Sequence, residues 1–530
     1  MRALLLSGLG PSHKNSSYLR GSLFDKALHP HAEAVLARSG HPDLTLARLT
    51  VEHDGHRYPL LRPRRDAIPH LTTLTLESVL QAGGHDYVHQ DLADVWSGEA
   101  VAPAVDVDVV LLSTTYIWNR QMLATAMAWI RGRLPGVPVI CGGQYTNLKF
   151  AAAMNDHPAI LATVRGDGEL ALPALLTTLE RRGDLAQVPN AVWRDGERIR
   201  INALAYIDLD GHSSPRFPGR RRIVPYESMR GCPFDCKFCS FPAASPKWRY
   251  KSAAKIRNDW AGYAEENGSS LVKAMDSTFT VPPTRLRELL EILPPLGLPW
   301  ECYSRANVVS TPEFVDALQR AHCARLEIGF ESMNEQTLRR MSKRVTARQN
   351  RRAFELLGAS DMDYTMFFMA GYPGETPEQF EDTRRFLVEE FSGHFMLHLF
   401  SITDESMPLW ADKDELRIRT DDPEDPEAPW SHTGMSSEEA RSLQAGTLDL
   451  VRRRNDRAVL KLWQGEFEPP LVPTADLRTN LIVEKAVERL AMAPLDETDV
   501  TRGAARIREQ LELLRANGVR PVSSLSEKAA

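Results

Sequence analysis

The stretch "MRGCPFDCKFCSFP", residues 229–242, decides how this chain reads. It packs Cys232, Cys236 and Cys239, three of the six cysteines, into eight residues with CxxxCxxC spacing. Soft thiolates at such spacing on a loop converge on a metal centre, and iron–sulfur clusters are the centres that suit them. Structural zinc takes four ligands in a closed tetrahedron. No fourth Cys or His lies near: the closest upstream histidine is His212, and Cys302 is far along the chain. Three thiolates on a four-iron cluster leave one iron open to a ligand from outside the protein. The loop is polar and interrupted by Pro233, so three buried structural cysteines is the poorer reading.

On either side, the chain alternates short apolar runs with helical patterns. "RALLLSG", "DYVHQDL", "VDVVLLSTT", "VPVICGG" and "ILATVRGDGE" read as strands, and "LTTLTLESVLQAGG" reads as a helix ending on Gly83–Gly84. This pattern predicts a doubly wound, Rossmann-like parallel sheet over residues 1–207, binding a ligand outside its strand carboxyl ends. Those ends carry Ser113, Thr114, Gly142, Gly143, Gly166 and Glu169, where a large flat or phosphate-bearing ligand can approach the backbone. Residues 20–69 interrupt the pattern with "RYPLLRPRRD" and read as an insertion, either a lid or a surface loop.

A linker rich in Gly, Ser, Pro and Arg spans 208–222. Six strand–helix units follow over 223–408 and predict a partial (β/α)6 barrel with its working face at the strand C-termini. From Leu409 onward the sequence reads as helical and without strands, a mostly helical region over 409–530. The chain as a whole is therefore α/β in three regions.

Composition narrows the function classes. Of 530 residues, 43% are hydrophobic and 25% charged, as in a globular protein. The net charge of −6 offers no general attraction to nucleic acid or to an anionic membrane. No apolar run reaches the ~20 residues that span a bilayer. "MRALLLSGLG" reads as a buried first strand rather than a signal peptide, and clustered cysteines outside a disulfide framework fit a reducing cytoplasm.

"CPFDCKFC" at the end of a first barrel strand resembles the signature of radical S-adenosylmethionine (SAM) enzymes. The resemblance implies that Cys232, Cys236 and Cys239 hold a 4Fe-4S cluster whose open iron is chelated by SAM. It extends along the barrel. Phe238 matches the aromatic beside the adenine, and Asp276 and Ser277 in "AMDSTF" match the site for the methionine amino group. Arg305 in "ECYSRANVV" matches the carboxylate or ribose contact, Glu331 in "IGFESMNEQ" another SAM contact, and Gly371 in "FFMAGYPGE" the adenine-side glycine.

A doubly wound domain ahead of such a barrel resembles the cobalamin-dependent, or class B, branch, over roughly residues 1–410. The resemblance implies that Ser113, Thr114, Gly142, Gly143, Gly166 and Glu169 surround a cobalamin. The DxHxxG motif of methionine-synthase-type domains is absent: the loop reads "SGLGPSHKNSS", leaving His13 as an unsupported cobalt ligand.

The implied function is methyl transfer from SAM via methylcobalamin to an unactivated carbon, or a phosphinate phosphorus, of a small natural-product intermediate such as an antibiotic precursor. Direct methylation of an sp2 carbon such as an indole position remains open, as does cyclisation or rearrangement without methylation. A sheet domain that binds a nucleotide, or a cluster protein without turnover, would be the readings outside this branch; no GxGxxG follows the first strand. Tyr303 and Tyr372 are the candidate proton or hydrogen-atom donors. The implied partners are a small-molecule substrate and an external electron donor such as flavodoxin or ferredoxin, with no nucleic acid and no membrane.

Overall fold

The run Arg2–Ser7 forms strand β1, buried at every residue after Arg2. A strand covered on both faces of a parallel sheet requires such an unbroken apolar run. The computed structural model describes residues 1–9, 22–23, 29–62, 68–461 and 467–522. Beyond β1 come a hairpin, β2 (Thr50–His53) and β3 (His56–Pro59), and then β4 (Asp86–Asp91), β5 (Val109–Ser113), β6 (Val139–Gly142) and β7 (Ile160–Val164). β8 (Ala191–Asp195) and β9 (Arg198–Ile201) complete a sheet of order β4-β1-β5-β6-β7-β8-β9. The first five strands of that order are parallel, and β8 and β9 run antiparallel at one edge. The chain leaves β1 for β4 on one side and places β5 on the other. That reversal opens a crevice at the strand carboxyl ends.

The second sheet starts with β10 (Ile223–Tyr226). A two-residue ladder, β11 (Met229–Arg230) against β12 (Arg249–Tyr250), closes the base of the cysteine loop. β13 (Leu271–Ala274), β14 (Trp300–Arg305), β15 (Cys323–Glu331), β16 (Asp363–Ala370) and β17 (Gly393–Leu399) continue the sheet in parallel. A small ladder, β18 (Arg419–Thr420) with β19 (Trp430–Ser431), follows. β20 (Ala458–Leu460) then pairs with β17 in parallel, so the expected six strands become seven.

The expectation of no strands after Leu409 is thereby corrected. The helix Ser437–Arg454 begins on a capping box between Ser436 and Glu439 and carries the chain back along the barrel. "AVL" then meets the open edge of β17. Three residues are too few to show a period.

The insertion is corrected as well. In its described part, helix Pro30–Ser39 and the β2–β3 hairpin join β21 (Arg520–Val522) in an antiparallel sheet. Val35, Leu36 and Val51 share one apolar core with Val487, Leu490, Ile507 and Leu511 of the C-terminal helices. These residues thus form half of a unit completed some 470 positions later (Thr50 pairs with Val522), neither a lid nor a loose loop. The Arg- and Pro-rich residues 63–67 and His13 lie outside the described residues. Among the described residues, no helix is long and apolar enough to cross a membrane.

Candidate active site: the cysteine loop and the sheet-end cleft

Gly231 launches the cysteine loop at φ 76°, and a Cβ there would lie 2.7 Å from Lys247 O and 2.9 Å from Ser245 O. Only glycine leaves the ladder in that direction. Cys232, Cys236 and Cys239 then line one wall of a barrel-mouth cavity of about 820 Å³, open space at its mouth included. Lys237 N donates to Met341 O at 2.9 Å and Leu409 N to Lys237 O at 3.0 Å, pinning the loop from both sides. Among the described residues, no three Cys, His, Asp or Glu side chains converge on a single metal ion. A 4Fe-4S cluster takes each thiolate on a different iron. Burial pushes the Cys239 thiol up to about 11; binding a metal requires the thiolate.

The same cavity brings together Phe238 of the loop with Ser277, Tyr303, Arg305 and Glu331 from three strand ends. Arg305 donates to Cys236 Sγ at 3.6 Å and stacks 3.8 Å from the Phe234 ring centroid. Its other terminal nitrogen donates to Lys343 O, while Nε, and Thr278 Oγ1 beside it, are buried without a partner. Unpartnered donors in a cavity fit a ligand bearing a carboxylate and hydroxyls, as SAM does. Glu331 sits at φ 64° after an irregularity in the β15–β16 register, which swings its carboxylate to Lys343 Nζ at 2.7 Å. A Cβ on Gly329 would overlap Glu331 Oε1 and stand 2.8 Å from Lys343 Nζ, so glycine makes room for the pair.

Lys343, 5.5 Å from the Phe238 ring centroid, was not anticipated. Its only sequence signal is the basic run "RRMSKR", which reads as a solvated helix end.

Three residues named from the sequence stand behind the cavity. Asp276 is buried and accepts from Ser228 N, Met229 N and Ser228 Oγ at 2.8, 2.9 and 2.5 Å, anchoring the strand that leads into the cysteine loop. Gly371, at φ 86°, packs where a Cβ would lie 2.6 Å from both Ala440 Cβ and Trp430. Tyr372 is buried, its hydroxyl 3.4 Å from Arg340 O. Tyr303, by contrast, lines the cavity, and burial with the nearby Glu327 carboxylate raises its pKa.

The sheet-end cleft encloses about 1130 Å³, mouth included, above the ~300–1,000 Å³ range usual for small-ligand pockets. Ser113, Gly142, Gly143, Gly166 and Glu169 line it, over an apolar floor that includes Leu111, Ile140 and Val164. Thr114 stands behind, donating to Gly142 O at 3.1 Å and paired with Thr146 Oγ1 at 3.0 Å. A Cβ at Gly142 or Gly166 would make ordinary contacts at 3.7–3.9 Å with Val164, Leu204 and Asn190, so these two glycines border the cleft without a close approach. An apolar floor, a glycine rim and this volume fit a large flat cofactor such as a corrin. Glu169 is not free: it pairs with Arg230 at 2.5 Å.

Residues 226–387 match the family model described as the radical SAM superfamily. The chain is 24% identical to an anaerobic magnesium-protoporphyrin IX monomethyl ester cyclase of Synechocystis sp., over 57% of this chain and 64% of that one. It is 27% identical to the hopanoid C-3 methylase of Methylococcus capsulatus, over 60% and 64%. With the cobalamin-dependent radical SAM methyltransferase TokK of Streptomyces tokunonensis it shares 25%, over 54% and 45%. The chain thus spans less than two thirds of the length of each of these relatives. The structure of the radical SAM methyltransferase TsrM from Kitasatospora setae, with cobalamin and a [4Fe-4S] cluster bound, superposes with a TM-score of 0.57. That match covers 97% of this chain and 99% of that one at 16% identity, a likeness of fold. A three-cysteine loop at the mouth of a parallel barrel thus has its family: residues 226–387 form a radical SAM domain, within a chain whose overall fold is like that of the TsrM structure.

Proposed function

We propose that this chain is a cobalamin-dependent methyltransferase, moving a methyl group from SAM to an unactivated carbon, or a phosphinate phosphorus, of a small natural-product intermediate. The observation that supports this is a shared wall. One segment, residues 230–249, carries the cysteines into the barrel cavity and lines the sheet-end cleft with Arg230, Ala244, Ser245, Pro246 and Arg249. Two cofactors held there would be neighbours. The corrin would supply methyl-transfer chemistry, and the cluster with SAM one-electron chemistry.

The chain's own residues would hold and orient. Cys232, Cys236 and Cys239 would bind the cluster, with Arg305 offsetting thiolate charge at Cys236. Arg305 and Lys343 suit the SAM carboxylate, Glu331 and Ser277 its amino group, and Phe238 its adenine; Asp276 and Gly371 would act from behind as supports. Ser113, Gly142, Gly143, Gly166 and Glu169 would border the corrin, with Thr114 bracing the rim. Tyr303 keeps its proton at the cavity wall, beside a Glu327 that Lys461, at 2.6 Å, holds as a carboxylate. A flavodoxin- or ferredoxin-like donor would reduce the cluster, and a reducing cytoplasm fits six cysteines none of which forms a disulfide.

Methylation of a flat sp2 carbon is favoured by one feature, the Phe367 ring stacked on His398 at 6.0 Å beside Tyr303. Cyclisation is favoured by the name of the Synechocystis relative. Reconstituted protein given SAM, reductant and hydroxocobalamin separates these readings. Cobalamin-dependent release of both S-adenosylhomocysteine, from methyl donation, and 5′-deoxyadenosine, from hydrogen abstraction, is the expected result; S-adenosylhomocysteine alone would favour the sp2 carbon. Release of 5′-deoxyadenosine alone would contradict methyl transfer and favour cyclisation.

A further inference from the structure

The cysteine loop begins and ends on the cofactor cleft. Arg230, two positions before Cys232, donates to Asp167 at 3.0 Å, to Glu169 at 3.0 and 2.5 Å, and to Glu227 at 2.9–3.1 Å. From the returning arm, Arg249 donates to both oxygens of the same Asp167 at 2.8 and 2.9 Å. Asp167 and Glu169 follow β7 at the start of helix Gly168–Glu180, so they belong to the sheet domain. Their side chains are only 2% and 4% exposed. The two arms of the loop are thus tied to the sheet domain by one buried ion-pair cluster, and all five side chains line the cleft.

Geometry makes this tie stiff. A guanidinium presents a planar fork that engages carboxylates bidentately, so its position is set along more than one direction. Buried partners cannot swing away without leaving an uncompensated charge. The next residue, Gly231, is boxed in by Ser245 and Lys247 carbonyls, leaving little slack between Arg230 and Cys232.

We propose that Arg230 is a positioning residue that couples the two cofactor sites. A corrin in the cleft fixes the Asp167–Glu169 wall, and Arg230 passes that placement to the cysteine loop. By linkage the effect is reciprocal: the assembled cluster tightens the cleft's hold on the corrin by the same factor. The inference rests on the reading of the cleft as a cobalamin site.

Full-length protein, with its cluster reconstituted or its iron removed by a chelator, is titrated anaerobically with hydroxocobalamin, and bound cobalt is measured after gel filtration. The expected Kd is about tenfold lower with the cluster present. In Arg230→Lys and in Glu169→Gln, that ratio falls below about twofold. The ratio is the readout, so direct contact of either residue with the corrin cancels. Glu169→Gln leaves the loop's own sequence unchanged and carries the test if Arg230→Lys does not fold. Equal affinities in the two wild-type forms, or a ratio that persists in the variants, would overturn the coupling alone. No cobalamin binding by either wild-type form would overturn the cobalamin reading and the coupling with it.

Discussion

The Arg305 guanidinium stands 3.6 Å from Cys236 Sγ. A fixed cation beside one cluster ligand stabilises the more negative, reduced state, because net charge near the sulfurs sets the potential. Arg305→Gln should therefore lower the cluster midpoint potential by on the order of 50 mV. Potentiometry followed by electron paramagnetic resonance checks this; an unchanged midpoint would show that Arg305 serves only SAM.

Gly329 is the clearance for the Glu331–Lys343 pair. Gly329→Ala should force the pair apart inside the cavity and weaken SAM binding by about tenfold or more, since charge-assisted bonds to one ligand are lost together. Equilibrium dialysis with labelled SAM measures it. Iron content should stay near wild type, because no cysteine is touched.

Tyr303 and Tyr372 separate by direction. Tyr303→Phe removes a hydroxyl on the cavity wall and should reduce turnover by about 10²-fold or more. Tyr372 is packed against Phe400 at 5.5 Å, away from the cavity. Tyr372→Phe should cost about 1 kcal/mol of stability or less and leave turnover near wild type. The comparison needs only product release rates and melting curves for the two variants.

Why these two tyrosines looked alike in the sequence is instructive. Both sit at or just past strand ends, and chain position alone does not say which way an end residue turns. The same blindness covers Asp276 and Gly371, which stand behind the cavity. The cysteine loop was legible because its ligands are close in sequence, and the sheet-end cleft because buried parallel strands leave apolar runs ending on glycine and serine. Lys343 and Arg230 were not: each acts through partners on other segments, and in sequence both look like ordinary surface charges. β20 was too short for periodicity. The pairing of β2 with β21 joins segments about 470 residues apart, a separation that local pattern cannot bridge.

His394 lies buried between Asp363 at 3.1 Å and Glu484 at 3.0 Å, fastening the helix Leu477–Asp496 to the barrel. Burial alone would lower its pKa, but the Glu484 and Asp363 carboxylates outweigh it and bring the imidazole to about 9. A raised folded pKa stabilises fully below the unfolded value of 6.5 and is lost as pH rises through 9. The contribution is of order 3 kcal/mol at most. Thermal unfolding at pH 6.5 and 9.5 should show the decline in wild type and a flatter profile in His394→Gln. Equal slopes would contradict the charged pairing.

The measurement that bears most directly on the central claim is the metal content of anaerobically reconstituted protein after incubation with hydroxocobalamin and gel filtration. About four irons and about one cobalt per chain are expected, the iron lost in Cys236→Ala. Four irons with no retained cobalt would contradict the two-cofactor account, leaving a radical SAM barrel whose sheet domain serves another ligand.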